Sequence, residues 1–317
     1  MIISSITEQP NVVAAASRRR RYAALRAHAA GYSLVAPPVL FLVLLIVYPS
    51  LKAVWDTLTS RPFDTGHGVV SVSGTFSLDT YRQLFTDPAY RLDRRAIAYT
   101  LQVTAITLVA LFALCYPLAM YLRFSRDRLA GFFRTMSLIP LFIPTIVSAY
   151  AFISFYQQGN FLDVLLQRTN LETTLFGGKY PQLIDNTTGI VLGQVWNNIP
   201  ITVLLLGAGF GEIDNALIES ARDVGAGYPR VFRSILFPLT LRQALIALIL
   251  AFIGVMGSYN IPALLGPTLP QMLGPAMNDN INNQRTLIAQ AEAVLTFAVA
   301  AMVGVLYVLA VARSRRR

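Results

Sequence analysis

Six long apolar stretches that contain no Asp, Glu, Lys or Arg constrain the fold of this chain more than any other feature. A helix needs about 20 mostly apolar residues to cross the hydrocarbon core of a bilayer, and every stretch reaches that length. The stretches are residues 27–51, 96–122, 135–162, 186–211, 243–278 and 293–312. The sequence therefore predicts an integral membrane protein rather than a series of soluble domains.

Composition agrees with this prediction. Only 13% of the residues are charged, about half of the roughly 25% found in soluble proteins. The lone Cys115 excludes a disulfide within the chain and a cysteine-based metal cluster. The first apolar stretch lacks a clear cleavage site and is too long for the apolar part of a signal peptide, so we expect it to be retained as a span.

We predict an all-α, polytopic fold with six transmembrane helices in one domain, residues 31–312. A basic tail, residues 1–30, precedes this domain, and a second basic tail, residues 313–317, follows it. The helices are expected near residues 31–51, 98–121, 136–156, 189–210, 243–262 and 290–312.

The distribution of basic residues predicts the orientation. With six spans both termini lie on one side, and that side holds 17 of the 26 Lys and Arg residues. Basic residues are enriched in cytoplasmic loops, so both termini are predicted to be cytoplasmic. The net charge of +10 then follows from topology, and a nucleic-acid partner is not expected.

The predicted cytoplasmic loop 211–240 between the fourth and fifth spans is longer than a plain connection requires. Asp214 is a candidate N-cap for a first helix, and Gly225 is expected to end that helix in the left-handed conformation. A second helix is predicted to run through Ile235 and to end at Pro238. Leu217, Ala221 and Val224 recur at helical spacing, which predicts an apolar stripe suited to docking on a partner.

This loop resembles the EAA motif of the permease subunits of ABC importers. The resemblance rests on Glu219-Ser220-Ala221, Gly225 and Ile235-Leu-Phe-Pro238, in which Ser220 and Phe237 depart from the family pattern E-A-A-x3-G-x9-I-x-L-P. It implies that Glu219, Ser220, Ala221, Gly225, Ile235 and Pro238 form a hairpin that couples the chain to an ATPase.

Three further segments are similar to the spermidine/putrescine-type permeases. They are Phe76–Tyr90, Tyr116–Ala119 and Pro262–Gly266. The resemblance implies as partners two cytoplasmic ATP-binding subunits, an extracytoplasmic substrate-binding protein and a second permease subunit. The second permease is either a paralogue, as is usual in polyamine-type systems, or a copy of this chain.

The chain itself lacks the residues of an ATPase. Its two lysines, Lys52 and Lys179, precede Ala53 and Tyr180, so neither belongs to the G-x-x-x-x-G-K-[ST] loop that cradles phosphates. His28 and His67 are isolated, which gives no convincing histidine-based metal site. We therefore expect no enzymatic activity and no cofactor in this chain, with ATP and magnesium bound by the partner ATPase.

Polar residues within the predicted spans are candidates for a substrate pathway, because such residues usually face a bundle interior or a cavity. They are Trp196, Asn197, Asn198, Ser258, Tyr259, Asn260 and Glu292. Each has an alternative interpretation as a helix–helix contact or an interface residue.

The expected function is transport of a small polar solute such as a polyamine. Ser258 stands where many polyamine-type permeases have an acidic residue, so an oxyanion, iron, an aminophosphonate or a sugar remain alternatives. A stand-alone secondary transporter would require repeats or broken helices with coupling residues, and a membrane-embedded hydrolase would require a nucleophile and base in the spans. The sequence offers no sign of either.

Overall fold

The computed structural model of the chain describes residues 35–64, 69–73 and 76–314. The predicted N-terminal tail 1–30, the first residues of the predicted helix 31–51 and the end of the C-terminal tail lie outside the described residues. The chain divides after Asp56 into two units. The first contains most of one apolar helix, and the second contains all elements from Thr57 onwards.

Helices form nearly all of the described chain. In chain order they are α1 (Val35–Thr59), α2 (Asp79–Thr86), α3 (Arg91–Phe124), α4 (Arg128–Leu138), α5 (Thr145–Tyr156), α6 (Phe161–Arg168), α7 (Leu171–Phe176), α8 (Thr187–Gly211), α9 (Asn215–Asp223), α10 (Tyr228–Met256), α11 (Asn260–Leu265), α12 (Leu273–Asn282) and α13 (Thr286–Ser314). The predicted helices over 98–121, 189–210 and 290–312 correspond to α3, α8 and α13.

The described residues contain five helices that are long and apolar enough to cross a membrane: α1, α3, α8, α10 and α13. The segment 128–168 is a sixth candidate if it counts as one span, but it bends by 113° between Phe142 and Thr145. The straight helix predicted over 136–156 is therefore wrong. Pro144 explains the bend, because a residue before proline is driven out of the helical conformation, and Ile143 is extended.

The end predicted at Pro238 for the second helix of the 211–240 loop is also wrong. Helix α10 begins at Tyr228 and runs through Pro238 to Met256 without interruption. Residues Phe232–Leu236 form a π-helical turn, and Phe237 alone separates this turn from the proline. A wider turn accommodates a residue that has no N–H and whose ring would clash with the carbonyl one turn earlier.

The fifth predicted span, 243–262, breaks instead of continuing to its end. Helix α10 stops at Met256, and the chain turns through Gly257–Tyr259 before α11 begins. Gly274 packs against this turn so closely that a Cβ atom there would lie 2.2 Å from the Ser258 carbonyl oxygen. Position 274 therefore requires glycine, and its backbone packs directly against the break between α10 and α11.

The all-α prediction omitted one small sheet. Ser60–Asp64 and Val69–Ser73 pair as antiparallel strands β1 and β2 in the loop that follows α1. The second strand contains three valines, and β-branched residues favour extended structure. The remaining described elements are helical, as predicted.

The main core lies where α3, α8 and α10 pack together. Leu111 and Cys115 of α3, Leu206 and Phe210 of α8 and Ala251 of α10 are completely or almost completely buried there. On α10, Ala244 and Ala247 are likewise buried. Such small residues let helix backbones approach closely in a membrane, where apolar burial alone does not drive association.

Candidate functional site

The turn between α9 and α10 has a defined hydrogen-bonding pattern. Asp214 caps α9 by accepting a hydrogen bond from the Ala216 N–H at 3.0 Å, as predicted. At the other end Gly225 has a φ of +84°. The Gly225 N–H donates to the Arg222 carbonyl at 2.8 Å, and the Ala226 N–H donates to the Ala221 carbonyl at 3.0 Å. These two bonds form a Schellman motif, which requires a left-handed residue where Gly225 stands.

Arg123, at the end of α3, attaches this hairpin to the helical bundle. Its guanidinium donates to the carbonyl oxygens of Phe210 and Ile213 at 3.2 and 3.3 Å, and to the Asn215 side chain at 2.9 Å. These acceptors lie at the end of α8 and the start of α9. Arg123 therefore satisfies carbonyl groups that a helix end leaves without an intrahelical partner and fixes the direction in which the chain leaves α8.

The apolar stripe predicted on α9 divides between two faces. Ala221, together with Ile218, packs against the core of the chain itself. Val224 is 85% exposed, and Leu217 is also exposed. At the start of α10, Tyr228 is 75% exposed. The apolar side chains exposed at the turn are therefore Val224 and Tyr228, which we call the hairpin tip, and Leu217 is exposed separately in the first turn of α9.

The other residues of the motif occupy distinct environments. Glu219 and Ser220 are exposed on α9, and the Ser220 hydroxyl donates to the Ala216 carbonyl at 2.7 Å. Ile235 is half-buried and packs against the core, while Pro238 is exposed. Glu219 is thus available to a partner, whereas Ile235 stabilises the hairpin from within.

A second candidate site is a polar surface on α8. Asn197 is exposed and accepts a hydrogen bond from the Thr145 hydroxyl of α5 at 3.3 Å. The neighbouring Asn198 is half-buried and donates to the Gln194 carbonyl at 2.8 Å. Trp196 is half-buried and packs edge-on against Phe152, with ring centroids 6.2 Å apart. Of the three predicted residues on α8, only Asn197 is exposed on the surface of the chain.

The break after α10 lies level with Asn197. A Cβ atom at Gly193 would meet Ile261 of α11, and one at Gly189 would meet Leu265. Helices α8 and α11 are therefore antiparallel. The Gly257–Tyr259 segment, which precedes α11, then lies beside the part of α8 that contains Asn197. In the Gly257–Tyr259 turn, Tyr259 is exposed and Ser258 is half-buried, and Asn260 is exposed at the start of α11. The structure thus brings these predicted residues to the level of Asn197, and we call Asn197, Tyr259 and Asn260 the polar wall.

The residues that match a known family include both of these regions. The family described as the binding-protein-dependent transport system inner membrane component matches residues 106–316, more than half of the chain. The chain belongs to this family. It is therefore a multi-pass inner-membrane permease of an ABC transporter, in which ATP is hydrolysed by another subunit.

Two curated relatives illustrate the range of the family. The spermidine/putrescine transport system permease protein PotB of Salmonella typhimurium (strain LT2) is 23% identical over 246 residues, which cover 77% of this permease and 80% of PotB. The trehalose transport system permease protein SugA of Mycobacterium tuberculosis (strain H37Rv) is 27% identical over 220 residues, covering 69% and 66% of the two chains. The resemblance to polyamine-type permeases is confirmed, and a sugar-type relative accompanies it.

A solved structure has the same fold. It is the bacterial alginate ABC transporter in complex with alginate pentasaccharide-bound periplasmic protein, and the similarity has a TM-score of 0.72 at 15% sequence identity. The match covers 91% of this permease and 96% of that chain.

Glu292 occupies a different environment from the polar wall. It is 0% exposed, and the Asn280 side-chain amide donates to it at 3.1 Å and to Asp93 at 2.9 Å. The second carboxylate oxygen of Glu292 has no hydrogen-bond partner among the described residues. In this arrangement Glu292 offers no surface to a solute, and it joins α13 to α12 and α3 at a buried acid–amide cluster.

Sequence reasoning did not find Arg123, Asp93 or Asn280 as members of these sites. Arg123 counted only as one of the basic residues that indicate topology, and its acceptors lie 87 to 92 residues away. Asn280 is separated from Asp93 by 187 residues. The described residues contain no group of three or more His, Cys, Asp or Glu side chains placed to hold a metal ion.

Proposed function

We propose that this permease forms one half of the translocation pathway of an ABC importer and is driven through the hairpin α9–α10. In this proposal six spans cross the membrane, with the bent segment 128–168 as one of them, and both termini and the hairpin are cytoplasmic. The observation that carries the proposal is the hairpin tip. Large apolar side chains that project from a rigid turn are suited to a groove in a partner.

The hairpin is built to transmit force because both of its ends are fixed. Arg123 holds the start of α9, and α10 continues directly into a span. A movement of the tip therefore reaches α10 without an intervening flexible loop. Glu219 and Ser220 are exposed on α9 just before the tip and would contact one of the two ATP-binding subunits, while Ala221 and Gly225 maintain the shape of the hairpin.

The polar wall supports a pathway between two permease subunits. Asn197, Tyr259 and Asn260 are exposed on the single chain, although they belong to spans or to the break between them. Polar groups in contact with hydrocarbon are costly. A water-filled passage, closed on its other side by a paralogue or a second copy of this permease, removes that cost.

The solute is proposed to be small and polar. The relation to PotB favours a polyamine, delivered by an extracytoplasmic binding protein. A sugar is the second candidate, because the polar wall is neutral and SugA is also a relative. Amide and aromatic side chains without a carboxylate suit a hydroxylated solute better than a cation.

Reconstitution of the permease with its ATPase subunits and binding protein in proteoliposomes tests this function. ATP hydrolysis should rise when the binding protein is loaded with its solute, and Val224→Asp should abolish that rise while the permease still inserts. Spermidine and trehalose, compared at equal concentration, separate the two solute classes. Hydrolysis that responds to neither the binding protein nor Val224→Asp would refute the proposal.

A further inference from the structure

A large groove lies beside the hairpin and shares Tyr228 with the hairpin tip. Its volume is about 920 Å³, and it opens between the end of α3 and the α9–α10 hairpin. This volume falls in the range of roughly 300–1,000 Å³ that small-molecule sites occupy. The groove is therefore large enough for a bound molecule rather than for isolated waters.

The wall of the groove is apolar. Met120 and Phe124 contribute from α3, Ile218 from α9, and Phe232 and Leu236 from α10. Phe124 is also exposed. A groove lined in this way at the end of two spans complements a hydrocarbon chain.

Two arginines also line the groove, and both are exposed. The Arg222 guanidinium lies 5.1 Å from the centre of the Tyr228 ring, and its Nη2 is 3.3 Å from the Tyr228 hydroxyl. An aromatic ring thus orients Arg222, and its remaining N–H groups have no hydrogen-bond acceptor among the described residues. Arg233 lies one turn further along α10 from Tyr228 and adds a second positive charge.

Neither arginine forms a salt bridge among the described residues, although Glu219 and Asp223 lie on the same helix as Arg222. Asp127 accepts hydrogen bonds from the Tyr121 hydroxyl at 2.9 Å and from the Ala130 N–H at 2.7 Å, where it caps α4. The Asp127 carboxylate therefore binds the N-terminus of α4. The groove thus combines an apolar wall with two arginines that no salt bridge pairs among the described residues.

We propose that this groove binds one anionic phospholipid of the cytoplasmic leaflet. The phosphate would lie between Arg222 and Arg233, and one acyl chain would follow α3 and α10. Basic pockets between transmembrane helices on the cytoplasmic side bind anionic headgroups. The location rests on the orientation proposed above, in which the hairpin is cytoplasmic.

Charge argues against the N-terminal tail of the chain as the occupant. Residues 1–30 contain Arg18–Arg21 and Arg26, which would be repelled by the two arginines of the groove. A phosphodiester has the opposite sign, and a phospholipid supplies the apolar chain as well. The bound lipid would brace the hairpin against α3, so that its tip keeps one angle to the spans.

Native mass spectrometry of the transporter, released from membranes that contain phosphatidylglycerol and phosphatidylcholine in equal amounts, tests the proposal. The wild type should retain phosphatidylglycerol. The double variant Arg222→Gln/Arg233→Gln should lose about thirtyfold in apparent lipid affinity, as expected from two basic residues near an anionic headgroup. The control Arg128→Gln/Arg230→Gln removes two exposed arginines that do not line the groove and should retain the lipid.

Fluorescence quenching locates the lipid. In the Phe124→Trp variant, brominated phosphatidylglycerol should quench the new tryptophan more strongly than brominated phosphatidylcholine at the same mole fraction. Equal quenching by both lipids, or quenching by neither because a protein covers the groove, would overturn the proposal. Both measurements read lipid binding without ATP hydrolysis. A transporter that couples normally but shows no lipid preference refutes the groove proposal alone, whereas one that binds the lipid but ignores Val224→Asp refutes the coupling proposal.

Discussion

Gly225 gives the sharpest prediction about the hairpin, because its requirement is conformational rather than steric. Its φ is +84°, and a Cβ atom added there would meet nothing within 4 Å. Gly225→Ser therefore creates no clash. It places an L-residue in the left-handed region, which costs roughly 1–2 kcal/mol.

That cost converts into a measurable loss of affinity. The undocked variant can relieve this strain by opening the turn, and docking in the conformation seen here must then restore it. A cost of 1–2 kcal/mol then lowers the apparent affinity for the ATPase subunits by about five- to thirtyfold. Gly225→Asn should lose less, because asparagine tolerates the left-handed region better than serine.

Gly227→Ser is the matched control in the same turn. Gly227 has a φ of −69° and is the N-cap residue of α10, where serine is favoured. A Cβ atom there would come no closer than 3.8 Å to Pro229. Titration of the ATPase subunits onto the permease in nanodiscs should show Gly227→Ser within about twofold of wild type, since neither strain nor a clash is introduced.

Equal affinities for the two serine variants would refute this reasoning. The turn would then not be rigid in the docked state, and the Schellman motif would play no part in coupling. A loss in Gly225→Ser that Gly225→Asn does not partly restore would indicate a direct contact with the ATPase instead of a backbone requirement.

Three further predictions concern the bundle and the polar wall. Arg123→Met should lower the free energy of unfolding of the permease in detergent by about 1–3 kcal/mol, because it removes three hydrogen bonds at the base of the hairpin. Glu292→Ala should destabilise the permease by about 2–4 kcal/mol, whereas Glu292→Gln should be tolerated because its carbonyl oxygen can still accept from Asn280; equal stability of the two variants would contradict the buried cluster. Asn197→Leu should reduce uptake in proteoliposomes while leaving the amount of assembled transporter unchanged. Normal uptake would indicate that Asn197 only makes a helix–helix contact.

The sequence predicted what depends on local patterns. Charge-free apolar runs located α3, α8 and α13, since a span must satisfy its own backbone and remain apolar. The cap at Asp214 and the left-handed Gly225 followed from the preferences of single residues. These features depend on near neighbours in the chain, and the structure has them where they were expected.

Prolines were harder to interpret because their effect depends on the surrounding backbone. Pro144 breaks a predicted straight helix, whereas Pro238, expected to end one, is absorbed by a π-helical turn. Proline restricts its own backbone and that of the preceding residue, but it does not determine whether the chain bends or widens a turn.

Tertiary contacts were beyond the reach of the sequence. Ala221 matched a motif and an apolar stripe, yet the packing of α9 turns it towards the core and leaves Val224 outside. Helical spacing identifies a stripe but not which neighbour covers it. Similarly, Glu292 was expected at a pathway, and its partner Asn280 becomes visible only when α12 is placed beside α13.

The most direct test of the account is a photo-crosslink from the hairpin tip. A photoreactive phenylalanine analogue at position 224 should crosslink to the ATPase subunit in the assembled importer, because Val224 is 85% exposed at the tip. The same analogue in place of Phe85, which is 53% exposed on α2, should give no such product, since the proposed topology puts α2 outside the cytoplasm. A crosslink to the ATPase from Phe85 and none from position 224 would contradict both the orientation and the coupling role of the hairpin.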